Sequence, residues 1–217
     1  MNKIDKIYEK NFVEIKGIVS KEAVYSHETY GEKFYTVHIK SERISGTEDE
    51  IPVLISERMC NVKELCLGQS IGVVGQFRTF NEHSGNKHRL VISVFARELY
   101  VLDDEDAEIE SNYIQLDGYL CKEPTYRKTP LGREISDFLL AVNRSYGKSD
   151  YAPCIAWGRN ARFTSCFEVG SRVKVSGRIQ SREYQKRISD TETETRTAYE
   201  VSVSKIELLE EDNRDAD

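Results

Sequence analysis

Along most of this chain apolar and polar side chains alternate with a period of two, in short runs closed by glycine or by clusters of polar turn residues. That alternation predicts half-buried β-strands rather than helices. In the C-terminal half the runs fall at 113–121, 135–143, 153–158, 171–182 and 196–206. Between the third and fourth runs, residues 160–169 read as a short helix that stops at Gly170, because glycine accepts the left-handed conformation that ends helices. Gly118 and Gly177 fall inside strands, where a missing Cβ lets a sheet bend sharply.

The pattern occurs twice. The segment from Asn11 to Gly17 matches the one from Asn112 to Gly118 in residue type at a constant offset of 101, which also pairs Tyr25 with Tyr126, Gly31 with Gly132 and Pro52 with Pro153. One inserted residue changes the offset to 102, pairing Gly68 with Gly170 and Gly75 with Gly177; a further shift pairs Ile92 and Val94 with Val201 and Val203. So many agreements in one order identify two homologous copies. Five strands with a helix between the third and fourth is the order of the OB-fold barrel. The expected fold is therefore all-β: two tandem five-stranded OB-fold barrels, each with a short helix between strands 3 and 4. The expected domains are 1–101, an acidic linker at 102–111, a second barrel at 112–209 and an acidic tail at 210–217.

Composition fits this reading. The 217 residues are 39% hydrophobic and 31% charged, enough apolar content for two small cores. No run reaches the roughly 18 apolar residues of a membrane span, and residues 1–10 are too polar for a signal peptide, so a cytoplasmic protein is expected. Five cysteines without a Cys-x-x-Cys pair suggest neither a disulfide framework nor a zinc knuckle, and are expected to be reduced and mostly buried.

A net charge of −6 argues at first against a polyanionic partner. Its distribution reverses that inference. Residues 11–101 carry 11 basic against 12 acidic side chains, residues 112–209 carry 16 against 12, and the acidic excess lies in 102–111 and 210–217. The second copy is thus basic, and it is also rich in aromatics: Tyr146, Tyr151, Trp157 and Tyr184 lie at loop tips or strand edges among Arg144, Lys148, Arg159, Arg162, Arg178, Arg182, Lys186 and Arg187. A basic groove with rings on which bases stack is the equipment of a single-strand binder. The alternative is that the rings fill the barrel while the basic residues merely solvate a face.

The second copy resembles the bacterial single-stranded DNA-binding proteins. Lys122 to Arg127 with Gly132 looks like that family's first hairpin, Phe138 to Arg144 its second strand, Cys154 to Ala161 its third strand entering the helix, Gly177 to Arg182 with Tyr184 its fourth strand, and Tyr199 to Val203 its fifth. The resemblance implies base stacking by Tyr146, Tyr151, Trp157 and Tyr184, and phosphate contacts by Arg127, Arg159 and Arg182, to which neighbouring Lys128, Arg144, Lys148, Arg178, Lys186 and Arg187 add. It implies a non-catalytic protein that coats exposed strands in replication, recombination or repair. It also implies four barrels per assembly, hence a homodimer, and replication or repair proteins as partners. The family's acidic tail ends in an apolar tip, whereas this sequence ends Asp215-Ala-Asp217.

At the stacking positions the first copy has Ser45, Glu50, Ser56 and Glu82 instead, and Glu42, Glu48, Asp49 and Glu50 are expected to repel phosphates. A shifted platform from Tyr30, Phe34, Tyr35 and Phe80 is conceivable, but a weakened or architectural domain is favoured. His83 and His88, with Lys87 and Arg89, read as hairpin residues, not metal ligands. No cofactor or metal is expected. A primosome-type OB-fold adaptor working through protein contacts is the rival, while an enzyme lacks support: the sequence has no Gly-rich phosphate loop and no nucleophile elbow.

Overall fold

A computed structural model describes residues 10–84, 87–103, 111–188 and 193–209; side chains are described for these apart from 82–89. Most of the acidic linker, the acidic tail and the side chains of Lys87, His83, His88 and Arg89 lie outside the described residues. The chain divides into two compact units, residues 13–113 with 179–200, and residues 114–178 with 201–209 and the start of the first strand.

In the first unit the strands are β1 (Asn11–Thr29), β2 (Glu32–Glu42), β3 (Glu48–Ser56), β4 (Ser70–Ser84) and β5 (Lys87–Val101). β1 is long enough to pair twice, antiparallel with β4 through Val13–Ile18 and with β2 from Ile18 onward, the latter with register shifts near Lys21 and Tyr25. β2 pairs with β3, β4 with β5, and the circle closes with a parallel contact of Val53 and Leu54 with Val94 and Phe95. The result is a closed five-stranded barrel. Its core is the inward half of each alternating run: Val13, Ile15, Val37, Ile39, Ile51, Ile71, Val73 and Phe77 have at most 1% exposure. Each such side chain contributes on the order of 1.5–3 kcal/mol by leaving water.

The second barrel repeats the order with β6 (Ser111–Leu120), β8 (Glu134–Asn143), β9 (Ser149–Trp157), β10 (Arg172–Arg187) and β11 (Thr193–Leu208), and adds the short strand β7 (Thr125–Lys128). β6 pairs with β8 and β10, β8 with β9, and Val201–Val203 of β11 closes the barrel in parallel with Cys154–Ala156 of β9. Gly118 and Gly177 sit where strands meet most tightly: an added Cβ would run into the Ala141 and Ser202 carbonyl oxygens respectively. The bends expected there are therefore required by close backbone approach. β10 and β11 also continue well beyond the closure. Residues 179–200 form an arm that packs with the first unit, although by sequence they belong to the second copy.

The third-to-fourth-strand connections diverge. In the second copy α1 (Arg159–Thr164) forms, shorter than the expected 160–169, with Ala161 buried and Phe163 edge-on to Phe167 at 4.7 Å. The first copy has no α-helix here. A single 3-10 turn, Val62–Glu64, is held by the Asn61 side chain, which accepts a hydrogen bond from the Lys63 amide. Asn61 caps the start of this turn, but Leu65, with φ of −75° and ψ of 110°, is already extended and ends it after three residues, and Val62 puts a β-branched side chain where copy two has Phe163 at offset 101. The cysteines also depart from expectation: only Cys154 is buried, while Cys66 and Cys166 lie exposed in these connections, where no core is available to cover them.

Candidate nucleic-acid interface

Strand pleat alone fixes the outward face of β9. Alternate residues Asp150, Ala152, Cys154 and Ala156 are buried in the barrel, which turns Tyr151 and Trp157 outward. Tyr151 stands across from Ala141 and Trp157 across from Ile135 on β8, both partners too small or too short to cover a ring. Tyr151 and Trp157 are 42% and 40% exposed, partly covered and partly open to solvent. Six residues of strand separate them by about 20 Å, room for several nucleotides between the two stacking points.

Tyr146 is displayed differently. It occupies the loop between β8 and β9 with φ of 77°, a left-handed conformation that a tyrosine adopts at a cost of the order of 1 kcal/mol, and its ring is 99% exposed. The loop is held by the Arg144 amide donating to the Lys148 carbonyl at 2.7 Å and by the Arg144–Asp150 ion pair. Asp150 has no exposure and receives both the guanidinium Nε, at 2.7 Å, and a terminal nitrogen of Arg144.

The basic residues therefore separate into two groups. Arg144 is committed to Asp150, and Arg127 donates to Asp137 from Nε at 3.0 Å and pairs with it at 2.8 Å. Lys128, Lys148 and Arg159 are exposed, and Arg178 is half-buried. On the arm, Arg182, Tyr184, Lys186 and Arg187 are all exposed. Arg196 on the facing strand has a raised pKa, caused first by its bond to Glu194 and aided by Tyr184. The sequence places Arg127 and Arg144 among the cations but does not show the carboxylates they meet; the signal was available in Asp137 and Asp150, each of which alternation puts near them across or along the same strands.

The first barrel has the same loop architecture. Arg43 donates to the Thr47 carbonyl at 2.8 Å, and its guanidinium forks onto the fully buried Asp49 at 2.7 and 2.5 Å, the homologous pair at offset 101. Asp49 additionally accepts from the Ser181 amide of the arm at 2.7 Å, while the Ser181 hydroxyl accepts from the Glu50 amide at 3.1 Å. Glu50 binds Lys21 at 2.5 Å and Ser20 at 2.8 Å, and Glu48 binds Lys40 at 2.6 Å. The acidic cluster expected to repel phosphates is thus largely matched by cations in place, which reduces its outward field.

Two closed five-stranded barrels of OB-fold order, one displaying open rings among exposed cations, define an oligonucleotide-binding protein. Residues 111–209 match the Single-strand binding protein family. Single-stranded DNA-binding protein B of Bacillus subtilis is 40% identical over 81 residues, 34% of this chain and 72% of the relative. The single-stranded DNA-binding protein of Clostridium tetani is 32% identical over 110 residues, 48% of this chain and 73% of the relative. The chain belongs to the single-strand binding protein family. The solved structure of the wild-type single-stranded DNA-binding protein of Thermus aquaticus superposes with a TM-score of 0.71 at 20% identity, covering 95% of this chain and 96% of the other, and establishes the tandem fold over nearly the whole length. No helix among the described residues is long and apolar enough to cross a membrane, and none of their His, Cys, Asp and Glu side chains group as a metal site.

Proposed function

We infer that this chain coats single-stranded DNA with little base preference, by stacking bases on outward rings and neutralising phosphates, in replication, recombination or repair. The observation that carries the reading is Trp157: it lies open on the outer face of β9, within the span that matches the family. Tyr151 and Tyr146 extend the same surface, and Lys128, Lys148, Arg159 and Arg178 supply positive charge on that barrel. Arg182, Tyr184, Lys186 and Arg187 supply a comparable set on the arm. Arg127 and Arg144 act chiefly by holding Asp137 and Asp150, and so by shaping the hairpin and loop that present the others.

The chemistry is non-catalytic and needs no cofactor. With two barrels per chain, a homodimer supplies the four barrels of the resembled family, and replication or repair proteins are its partners. The adaptor alternative has less support, because the relatives matched are named for binding single strands.

Since Trp157 is the sole tryptophan, its emission reports on the site directly. Titration with oligothymidine is expected to quench it, with affinity falling as salt rises, because each neutralised phosphate releases counterions. Quenching that is absent, or binding indifferent to salt, would refute stacking combined with phosphate neutralisation.

A further inference from the structure

The two barrels differ most informatively at one cross-strand pair. In the second copy Trp157 on β9 faces Ile135 on β8; in the first, the equivalent pair is Ser56 on β3 facing Phe34 on β2. Residues directly opposed in an antiparallel pair project from the same face of the sheet. The ring absent at Ser56 has therefore been restored on the neighbouring strand. Comparing the copies along one strand at a time conceals this, because the compensating residue sits at a different sequence offset.

Phe34 does not stand alone. Its ring stacks on that of His27 with centroids 5.0 Å apart and planes 13° from parallel, and its other neighbour is Phe95, at 5.9 Å. The Arg97 guanidinium lies 4.9 Å over the Phe95 ring, a cation–π contact. Strands β1, β2 and β5 thus assemble a continuous run of flat groups ending in a cation. His27 and Arg97 are exposed, and Phe34 and Phe95 are half-buried. A buried packing cluster would not leave both ends of the run in solvent.

The charge beside the run shifts in a parallel way. Arg178 and Gln180 of the second copy correspond at offset 102 to Gln76 and Arg78 of the first, an exchange of residue types at positions two apart on one strand face. Arg78 and Arg97 both donate to the Gln76 side-chain oxygen, at 2.5 and 3.3 Å, so two guanidiniums converge next to the aromatic run. The acids nearer the β2–β3 loop, Glu48, Asp49 and Glu50, are already paired with Lys40, Arg43 and Lys21.

We propose that the first copy also binds single-stranded DNA, stacking bases on the His27–Phe34–Phe95 run with Arg97 and Arg78 facing phosphate. This deepens, and rests on, the single-strand-binding reading given above. It departs from the expectation of a weakened or architectural first domain.

The test uses the full chain. The double variant Trp157→Phe with Phe34→Trp keeps a ring at both positions and moves the only indole into the first barrel. End-labelled oligothymidine reports total binding by anisotropy while the indole reports the run. Falling emission that tracks rising anisotropy is the expected result. Phe34→Ala in the otherwise unchanged chain should reduce the nucleotides occluded per chain and weaken long-oligonucleotide binding by about 5- to 150-fold, the range for one lost stacking contact. Phe34→Leu should lose affinity similarly while keeping the wild-type thermal midpoint, which separates stacking from packing. Rising anisotropy with unchanged indole emission, or an unchanged occluded length in Phe34→Ala, would overturn the proposal. Failure of the wild-type chain to bind would instead remove the reading on which it rests.

Discussion

A carboxylate without solvent contact is stable only beside a charge that replaces water, and Asp49 and Asp150 meet that condition in the same manner one copy apart. Because the Arg144 fork fixes the loop that carries Tyr146, the pair links core to surface. Replacing Asp150 with Ala leaves the partly buried guanidinium without its carboxylate and should cost about 3 kcal/mol of unfolding free energy, the low end of the range for a broken buried pair because Arg144 keeps some solvent. Urea denaturation measures it. The double change Arg144→Ala with Asp150→Ala should cost less than the single changes summed, as coupled partners do; strict additivity would show the two side chains to be independent. At this scale the sequence was only half informative. Alternation exposes Tyr151 and Trp157 and leaves Asp137 and Asp150 as candidate partners, but that Arg127 and Arg144 engage them depends on which strands become neighbours.

At the scale of elements, β1, β2 and β3 bring Lys21, His38 and Glu50 together. Burial lowers the His38 pKa, the Lys21 charge lowers it further, and Glu50 opposes them. Glu50 is pulled upward by burial but brought below its usual value by hydrogen bonds from Lys21 and Ser20. Both shifts have one sign for stability. An unfolded chain takes up protons more readily at each position, so stability rises with pH. The His38 part is complete above about pH 6.5 and is lost as pH falls below it; the Glu50 part is lost lower, below about pH 4.5. Denaturation midpoints should therefore be lower at pH 5.5 than at pH 7.5, and His38→Gln should flatten that difference. A slope unchanged in His38→Gln would assign the effect elsewhere. The strand order itself was readable from alternation, and Gly118 and Gly177 marked the tight points correctly. The missing first-copy helix was not, since a matching offset predicts a matching element but not the extended backbone at Leu65 that ends the turn after three residues.

For the whole molecule, duplication is visible in sequence but the boundary by packing is not. Residues 179–200 are continuous with the second copy, yet they pack with the unit built from residues 13–113. Ser181 marks the junction, with its amide bonded to Asp49 at 2.7 Å. A fragment of residues 112–209 lacks Asp49, which accepts from the Ser181 amide, and Glu50, whose amide donates to the Ser181 hydroxyl. Limited trypsin digestion should therefore cut it at Arg182, Lys186 or Arg187 well before the barrel is attacked, and faster there than in the full chain. Equal cleavage rates at those sites in fragment and full chain would show that the arm is held by its own copy. Strand pairing within β10 and β11 is local and legible; the arm's destination depends on a carboxylate 132 residues away in sequence, and no short-range pattern encodes that.

This packing also orders events during synthesis. The unit built from residues 13–113 is not complete until residue 200 has emerged. At roughly 5–20 residues per second, a nascent first barrel waits about 4–17 s after residue 113 is made before its last segment arrives. Until residue 181 is made, Asp49 lacks the Ser181 amide from which it accepts in the finished protein. The early barrel is then held by its own circular strand pairing alone, and the late arm serves as the latch that finishes it.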